Sequence, residues 1–145
     1  MTRDFDASAL AKRYLDEPGS VAVRRLTVSG TVATSRLSEI EITSAVERRV
    51  REGVLSRDDR SAIAAALSRD LASMIVVELT ADIASLAKNL LARHPLRSGD
   101  AIQLATAVYL AGQLGRRPPF VVFDDRLAAA ATAEGLSIAG RPRRR

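Results

Sequence analysis

The clearest strand pattern of the sequence is Phe120-Val121-Val122-Phe123, and Asp124 follows it directly. Aromatic and β-branched residues favour strands, and the preceding Pro118 and Pro119 hold the approaching chain extended. A helical pattern begins soon afterwards, at Arg126. Asp124 is therefore predicted to occupy a strand-to-helix junction, the place at which open parallel sheets bind their ligands.

The remainder of the chain alternates short strands with longer helical segments. Further strands are predicted at residues 3–5, 31–34, 74–77 and 136–139, the third of them buried and the last at a sheet edge. Helices are predicted over residues 7–15, 18–28, 37–53, 56–73, 80–94, 99–112 and 126–133. Strands that are separated by helices pair in parallel and carry helices on both faces. We expect one α/β domain over residues 1–140 and a solvated basic tail over residues 141–145.

Composition limits the chemistry that this chain can perform. Its 145 residues fit one domain with an apolar core, since 47% are hydrophobic and 27% are charged. The sequence contains no cysteine, which excludes disulfides, thiolate metal sites and cysteine nucleophiles, and His94 is its only histidine. Aromatic residues make up 3%, too few for a platform that stacks nucleic-acid bases.

The charge balance favours a partner that carries phosphates. The chain has 22 basic and 17 acidic residues, net +5, and all of the basic residues except Lys12 and Lys88 are arginine. Arginine matches phosphate geometry, although an arginine-rich source proteome explains the same balance. No apolar run approaches the ~20 residues that cross a bilayer, and the first residues lack a signal-peptide pattern. We therefore expect a cytoplasmic protein without membrane association.

Four acidic residues stand out by their position. Asp6 and Asp124 each follow a predicted strand, Asp100 begins a helix, and Glu41 lies in the first half of another. Each aspartate alone is better explained as a helix cap or first-turn acid, and Glu41 alone as a solvent-facing or arginine-paired residue. Carboxylates that gather at one sheet edge, however, repel each other unless a cation neutralises them. Hard oxygen ligands without cysteine select Mg²⁺ or Mn²⁺ over zinc.

Four segments resemble motifs of PIN-domain proteins of the VapC toxin type, in the order that the family has them. The segments are FDASALAKRY with the following EPGS (residues 5–14 and 17–20), TSRLSEIE (34–41), LRSGDAIQLATA (96–107) and FVVFDDRL (120–127). Together they extend over nearly the whole chain. The resemblance implies a three-layer α/β/α PIN-like domain, with a central parallel sheet and an acidic pocket at the carboxyl edge of that sheet.

The same resemblance assigns roles to individual residues. By motif position it implies that Asp6, Glu41, Asp100 and Asp124 are the catalytic acids. Asp6, Asp100 and Asp124 would hold Mg²⁺ or Mn²⁺, and Ser8, at a small polar position of the family, would support the site. Because the family cuts RNA, the implied function is a metal-dependent endoribonuclease that acts as the toxin of a type II toxin–antitoxin system. RNA as substrate, a cognate antitoxin protein and a homodimer are implied with it.

Two departures from the family's pattern bear on the site. Arg3 and Asp4 stand where many relatives have an apolar pair, which predicts a weakened first strand or a displaced Asp6. Val122 stands where relatives often carry Thr or Ser, which predicts the loss of one polar contact and bears on activity but not on the fold.

The mechanistic hypothesis is metal-assisted hydrolysis of phosphodiester bonds, which needs no side-chain nucleophile. Arg13, Arg36 and Arg97 are candidates to steer the phosphate backbone, with binding that weakens in salt. The alternative is a catalytically silent RNA-binding or protein-interaction module, since a fold does not dictate activity. A magnesium-dependent phosphatase or DNA nuclease is a second enzymatic alternative.

Overall fold

One five-stranded sheet organises the chain in the computed structural model, which describes residues 1–140. Its strands are β1 (Thr2–Phe5), β2 (Thr31–Ser35), β3 (Ile75–Val77), β4 (Phe120–Val121) and β5 (Ile138–Ala139). The strand order is β3-β2-β1-β4-β5, and every neighbouring pair is parallel. The predicted parallel sheet is confirmed, whereas the predicted basic tail lies outside the described residues.

Helices cover both faces of this sheet. Within residues 1–140 they are α1 (Ala7–Ala11), α2 (Ser20–Val28), α3 (Arg36–Arg51), α4 (Arg57–Leu71), α5 (Ala81–Arg93), α6 (Ser98–Leu114) and α7 (Asp125–Ala133). Phe120 packs in an apolar cluster with α5, α6 and α7, and the next residue, Val121, packs in a second cluster with α1 to α4. Since successive strand residues point to opposite faces, the three-layer α/β/α architecture is confirmed. Across the same residues, no helix has the length and hydrophobicity to span a membrane.

The direction of the connections reverses at β1. From β1 the chain moves outward to β2 and β3, and it then crosses to the other side of β1 to form β4 and β5. Such a reversal opens a crevice beyond the carboxyl ends of the two central strands, where open α/β sheets bind their ligands. The crevice of this chain therefore lies beyond the ends of β1 and β4.

The first strand forms in spite of its polar residues. β1 pairs with β2 over its whole length and with β4 at Asp4 and Phe5. The Arg3 guanidinium leaves the sheet and donates hydrogen bonds to the Leu26 carbonyl (3.2 Å) and the Ser29 hydroxyl (3.1 Å). The first strand is therefore not weakened, because its backbone is paired on both sides, and Asp6 follows it directly.

The predicted helices differ from the observed ones by one or two residues at most ends, and by more at the end of the first helix. The first helix stops at Ala11 instead of residue 15, and α2 begins at Ser20, so that Pro18 precedes it. The Ser20 hydroxyl donates to the Leu15 carbonyl at 2.8 Å and thereby fixes a loop between the two helices. α6 runs through Gly112 and ends before Gly115, whose φ of 64° is the left-handed conformation that ends helices.

The strand predicted as buried at residues 74–77 lies at the edge of the sheet instead. It forms β3 over Ile75–Val77, and Ile75 is 37% exposed. Its apolar composition is the same as that of an interior strand. Only the strand order, which follows from packing of the whole chain, decides that no further strand covers it.

Candidate active site

Asp6 and Asp124 are placed at the crevice because each caps the helix that follows its strand. Asp6 Oδ1 accepts a hydrogen bond from the Ala9 backbone N–H at 2.8 Å, at the start of α1. Asp124 Oδ1 accepts one from the Leu127 N–H at 2.8 Å, at the start of α7. The capping interpretation is thus correct for both. It accounts for one oxygen of each carboxylate.

Asp100 and Glu41 reach the same region from two helices. Asp100 lies in the first turn of α6, where the helix dipole favours an anion. Glu41 is partly buried on α3, and its Oε1 atom is enclosed without a hydrogen-bond partner among the described residues. That oxygen lies against Gly99, since a Cβ built there would be 3.2 Å from it. Close approach of α3 and α6 therefore brings the two acids together.

The pKa shifts of these acids report their mutual proximity. Burial, together with the charges of Asp100 and Glu41, raises the pKa of Asp6 to about 7, against hydrogen bonds from the Ala9 N–H and the Ser8 hydroxyl that lower it. Burial also raises the pKa of Asp100, with the Asp124 charge as a second cause. Burial raises the pKa of Glu41, and the Asp100 charge acts in the same direction. The four predicted acids therefore form one electrostatic cluster, with Asp100 at its centre.

The donor set of this cluster fits a hard divalent cation. Within residues 1–140 no three acidic or histidine side chains stand as a preformed ligand set for one metal ion. Glu41 nevertheless adds a buried carboxylate oxygen without a hydrogen-bond partner among the described residues. Asp6, only 3% exposed, is repelled by two other carboxylates. A dication with oxygen ligands relieves such repulsion, which favours Mg²⁺ or Mn²⁺.

Two adjoining cavities surround the cluster. The first, which we term the acidic cavity, has a volume of about 530 Å³ and is lined by Ser8, Arg97, Asp100, Asp124, Asp125 and Arg126. The second, the arginine groove, measures about 580 Å³, runs between α1 and α3, and includes Glu41, Arg48, Arg49 and Arg97 in its lining. Ser8 and Arg97 belong to both. Asp100 and Asp124 line the first cavity and Glu41 lines the second, whereas Asp6 is buried beneath them. Three of the four acids therefore open onto a surface that also presents arginine side chains.

Of the two uncharged positions that the sequence connected with the site, Ser8 lies at the cavities and Val122 does not. Ser8 Oγ donates to Asp6 Oδ2 at 3.4 Å, and the side chain lies where the two cavities meet. Val122 is fully buried in the apolar cluster beneath α5 to α7, so its position supplies no polar group to the acidic cavity.

Of the three arginines predicted to steer phosphates, one lies at the site. Arg13 is held away from it, by Asp70 at 3.0 Å and by the Thr27 hydroxyl at 2.7 Å. Arg36 pairs with Glu78 and Glu39 on the surface. Arg97 lines both cavities and forms no hydrogen bond or salt bridge with another described residue, although its charge acts to lower the pKa of the nearby Asp100.

Sequence reasoning missed a buried polar chain beside the acids, formed by Thr34, Ser38 and Gln103. Each is at most 2% exposed, and hydrogen bonds connect them. The available signal was a glutamine between Ile102 and Leu104, one helical turn after Asp100. Spacing alone did not identify its partners.

Comparison with known proteins agrees with this architecture. A sequence model of the PIN domain family matches residues 5–133, most of the chain. Comparison with curated proteins gives no match. The chain belongs to the PIN-domain family, and the predicted family is confirmed.

Solved structures with a similar fold include bacterial toxins. VapC20 of Mycobacterium tuberculosis, described as a sarcin–ricin-loop-cleaving toxin, is 23% identical with a TM-score of 0.69, over 98% of this chain and 100% of that chain. The FitAcB structure from Neisseria gonorrhoeae is 14% identical with a TM-score of 0.69, over 97% and 98%. A toxin–antitoxin complex from Klebsiella pneumoniae is 18% identical with a TM-score of 0.63, over 88% and 90%. At these identities the likeness establishes the fold.

Proposed function

We propose that this protein is a Mg²⁺- or Mn²⁺-dependent endoribonuclease and the toxin of a type II toxin–antitoxin system. The observation that carries the proposal is the convergence of Asp6, Glu41, Asp100 and Asp124 on one crevice. No salt bridge in the described part of the chain compensates any of these carboxylates. Among the described residues, only the nearby charge of Arg97 acts against the repulsion, at Asp100. An acidic cluster without salt bridges is costly to fold and is typical of a site that binds cations.

The residues of the cluster have distinct proposed roles. Asp6, Asp100 and Asp124 would hold the divalent ion, and Ser8 would orient Asp6 through its hydrogen bond. When bound, the ion would supply Lewis acidity and charge neutralisation for hydrolysis of the phosphodiester. Glu41 would accept a hydrogen bond or a proton at Oε1, the atom that has no partner within residues 1–140. No side-chain nucleophile is required.

The substrate proposed for this site is RNA. Arg97 would contact a phosphate at the boundary of the acidic cavity, and Arg48 would contact another in the arginine groove. Both side chains are exposed and unrestrained by ion pairs to other described residues. Charged hydrogen bonds from arginine to phosphate would orient the strand without reading its sequence.

An antitoxin protein, a homodimer and a cytoplasmic location belong to the same proposal. The similarity to a solved toxin–antitoxin complex supports the antitoxin. Isolation of the protein from its own cells should therefore yield a bound small protein partner. Recovery of the protein alone would contradict the toxin assignment while leaving the nuclease assignment intact.

Asp124→Asn tests the nuclease directly. Asparagine caps helices as well as aspartate does, so the variant should keep the fold while it loses the negative charge. We expect the parent to cut single-stranded RNA only when Mg²⁺ or Mn²⁺ is added, and the variant to lose this activity. The matched control is Asp58→Asn, an exposed first-turn acid of α4, which should cleave at the parent rate.

The same assay separates the alternatives. A silent RNA-binding module would bind RNA in a salt-sensitive manner and cut none of the substrates. A DNA nuclease or a phosphatase would prefer DNA or a small phosphomonoester over RNA. A folded Asp124→Asn protein that cut RNA at the parent rate would show that the site is assigned to the wrong residues.

A further inference from the structure

A chain of buried hydrogen bonds runs from β1 to α6 through the interior. Thr34 Oγ1 lies 2.8 Å from the Phe5 carbonyl and 2.7 Å from Ser38 Oγ, and Gln103 Nε2 lies 3.1 Å from the same serine oxygen. Thr34 and Ser38 are 0% exposed and Gln103 is 2% exposed. Polar groups buried this deeply must be satisfied inside the protein.

The direction of these hydrogen bonds follows from counting protons. A hydroxyl carries one proton, and Thr34 donates its own to the Phe5 carbonyl. Ser38 must therefore donate to Thr34, and the Ser38 oxygen then accepts from the Gln103 amide. This places the NH₂ group of Gln103, and not its carbonyl oxygen, towards Ser38. Burial raises the pKa of Glu41, and a hydrogen bond from the Gln103 side chain acts to lower it. The geometry agrees, because Ser38, which accepts from the Gln103 amide at 3.1 Å, stands one helical turn before Glu41 on α3.

Each end of the chain adjoins a member of the acidic cluster. Phe5 directly precedes Asp6 in the backbone. Gln103 stands three residues after Asp100 on α6, and residues with this spacing share a helix face. Glu41, three residues after Ser38 on α3, lies beside the amide. Packing alone does not require these polar groups, because an apolar side chain would fill the position of Gln103 without needing partners.

We propose that Gln103 is a positioning residue that holds the Glu41 carboxylate in the acidic cluster by donating a hydrogen bond to it. This inference rests on the proposed metal-dependent function. The Glu41 side chain is only partly buried and is repelled by Asp100, so an unheld carboxylate would turn towards solvent. The Gln103 amide keeps it in place, and Gly99 leaves the room that Oε1 occupies. Ser38 and Thr34 fix the amide in turn.

The test is a double-mutant cycle on Mn²⁺ affinity, measured by electron paramagnetic resonance on the purified full chain. Gln103→Met keeps the approximate shape of the side chain and removes the amide. We expect it to weaken Mn²⁺ binding about tenfold, as loss of a group that orients a metal-site residue commonly does. In a Glu41→Gln background the same substitution should have no further effect, because the residue through which Gln103 acts is already changed.

The matched control is Thr106→Val, which removes another buried polar group of α6. The Thr106 hydroxyl donates to the Ile102 carbonyl at 2.8 Å and has no link to Glu41. This variant should bind Mn²⁺ like the parent. Thermal unfolding of the metal-free proteins checks that each variant folds, and Ser38→Ala, a smaller deletion that frees the Gln103 amide, replaces Gln103→Met if that variant does not fold.

Two outcomes would overturn the inference. One is a folded Gln103→Met protein with parental Mn²⁺ affinity. The other is an equal loss of affinity in the parent and Glu41→Gln backgrounds, which would show that Gln103 acts on the fold in general. A parent protein that does not bind Mn²⁺ would instead contradict the proposed metal-dependent function itself, so the two failures are distinguishable.

Discussion

The Glu41 carboxylate lies directly on Gly99. A Cβ at position 99 would stand 3.2 Å from Oε1 and 3.8 Å from the carboxyl carbon of Glu41. The first of these distances is tighter than ordinary van der Waals contact, so α6 approaches α3 this closely because residue 99 has no side chain. The missing side chain at Gly99 therefore leaves space for the Glu41 carboxylate close to Asp100.

Gly99→Ala should lower RNA cleavage while leaving the fold at least as stable. The added methyl group pushes against Glu41 Oε1, and we expect an activity loss of about tenfold, in the range seen when groups that orient a metal site are altered. Alanine is also a better helix former than glycine by about 1 kcal/mol. Metal-dependent cleavage and thermal unfolding, measured on the same preparation, check the two effects.

Gly112→Ala is the matched control for this prediction. Gly112 lies on the same helix, and a Cβ there would meet nothing within 4 Å. The variant should gain the same helix propensity and keep full activity. If Gly99→Ala were as active as Gly112→Ala, the close contact between residue 99 and Glu41 would not be needed for activity.

The sheet and the positions of two of the acids were predictable because both depend on local signals, whereas the grouping of all four acids was implied by the resemblance to the family's motifs. Phe120 to Phe123 carries a strand pattern in its own composition, although only Phe120–Val121 forms β4. Asp6 and Asp124 carry the signal of a helix cap after a strand. Parallel strands then bring their carboxyl ends to one edge. Local pattern failed at β3, since the apolar Ile75 lies at a sheet edge that only the global strand order defines.

The environment of the acids was less predictable, because it depends on contacts between distant segments. Gln103 and Ser38 are 65 residues apart in sequence, and the pattern of neither segment indicates that the two side chains form a hydrogen bond. The end of α1 was unpredictable for the same reason. The sequence pattern indicates a helix up to Leu15, but the Leu15 carbonyl accepts a hydrogen bond from the Ser20 hydroxyl, in the next helix. Asp4 is a third example. The sequence indicated that this residue would weaken the first strand, and the structure instead buries its carboxyl group within that strand.

Arg97 and Arg48 should account for part of the salt dependence of RNA binding. If each contacts one phosphate, its replacement by alanine should reduce the slope of log affinity against log salt by about 1. Fluorescence anisotropy with a short single-stranded RNA, in EDTA so that no cleavage occurs, measures that slope across a salt titration.

Arg69→Ala is the control for the two arginine variants. Arg69 is exposed in the last turn of α4, which leads into the amino end of β3 and so lies at the opposite edge of the sheet. Its removal lowers the net charge equally and should leave the slope near the parental value. Equal slopes for all three variants would mean that RNA binds elsewhere.

Metal binding should weaken as the pH falls through neutrality. The pKa of Asp6 is raised to about 7, chiefly by burial, so in the metal-free protein this carboxyl gains a proton below that pH. A cation must displace the proton. Mn²⁺ affinity should therefore fall between about pH 8 and about pH 6, where ordinary carboxyls do not titrate. In Asp6→Asn the affinity should be weaker throughout and lose most of this dependence, and a parent without pH dependence in that interval would contradict the proposed ligand.

Asp4→Val should stabilise the protein at neutral pH. Asp4 is 2% exposed, its Oδ1 atom has no hydrogen-bond partner among the described residues, and burial raises its pKa well above the usual value, with the Asp6 charge adding to the rise. A carboxyl whose pKa is raised on folding favours the native state below its unfolded pKa and loses that contribution as the pH rises through its folded pKa. Valine suits a strand and removes the unsatisfied group, so the free energy of unfolding at neutral pH should rise by about 1–3 kcal/mol. Urea unfolding should show a smaller gain at about pH 5 than at about pH 7.5, because protonated Asp4 costs less than ionised Asp4. A gain that is equal at both pH values would mean that packing, and not the charge of Asp4, is responsible.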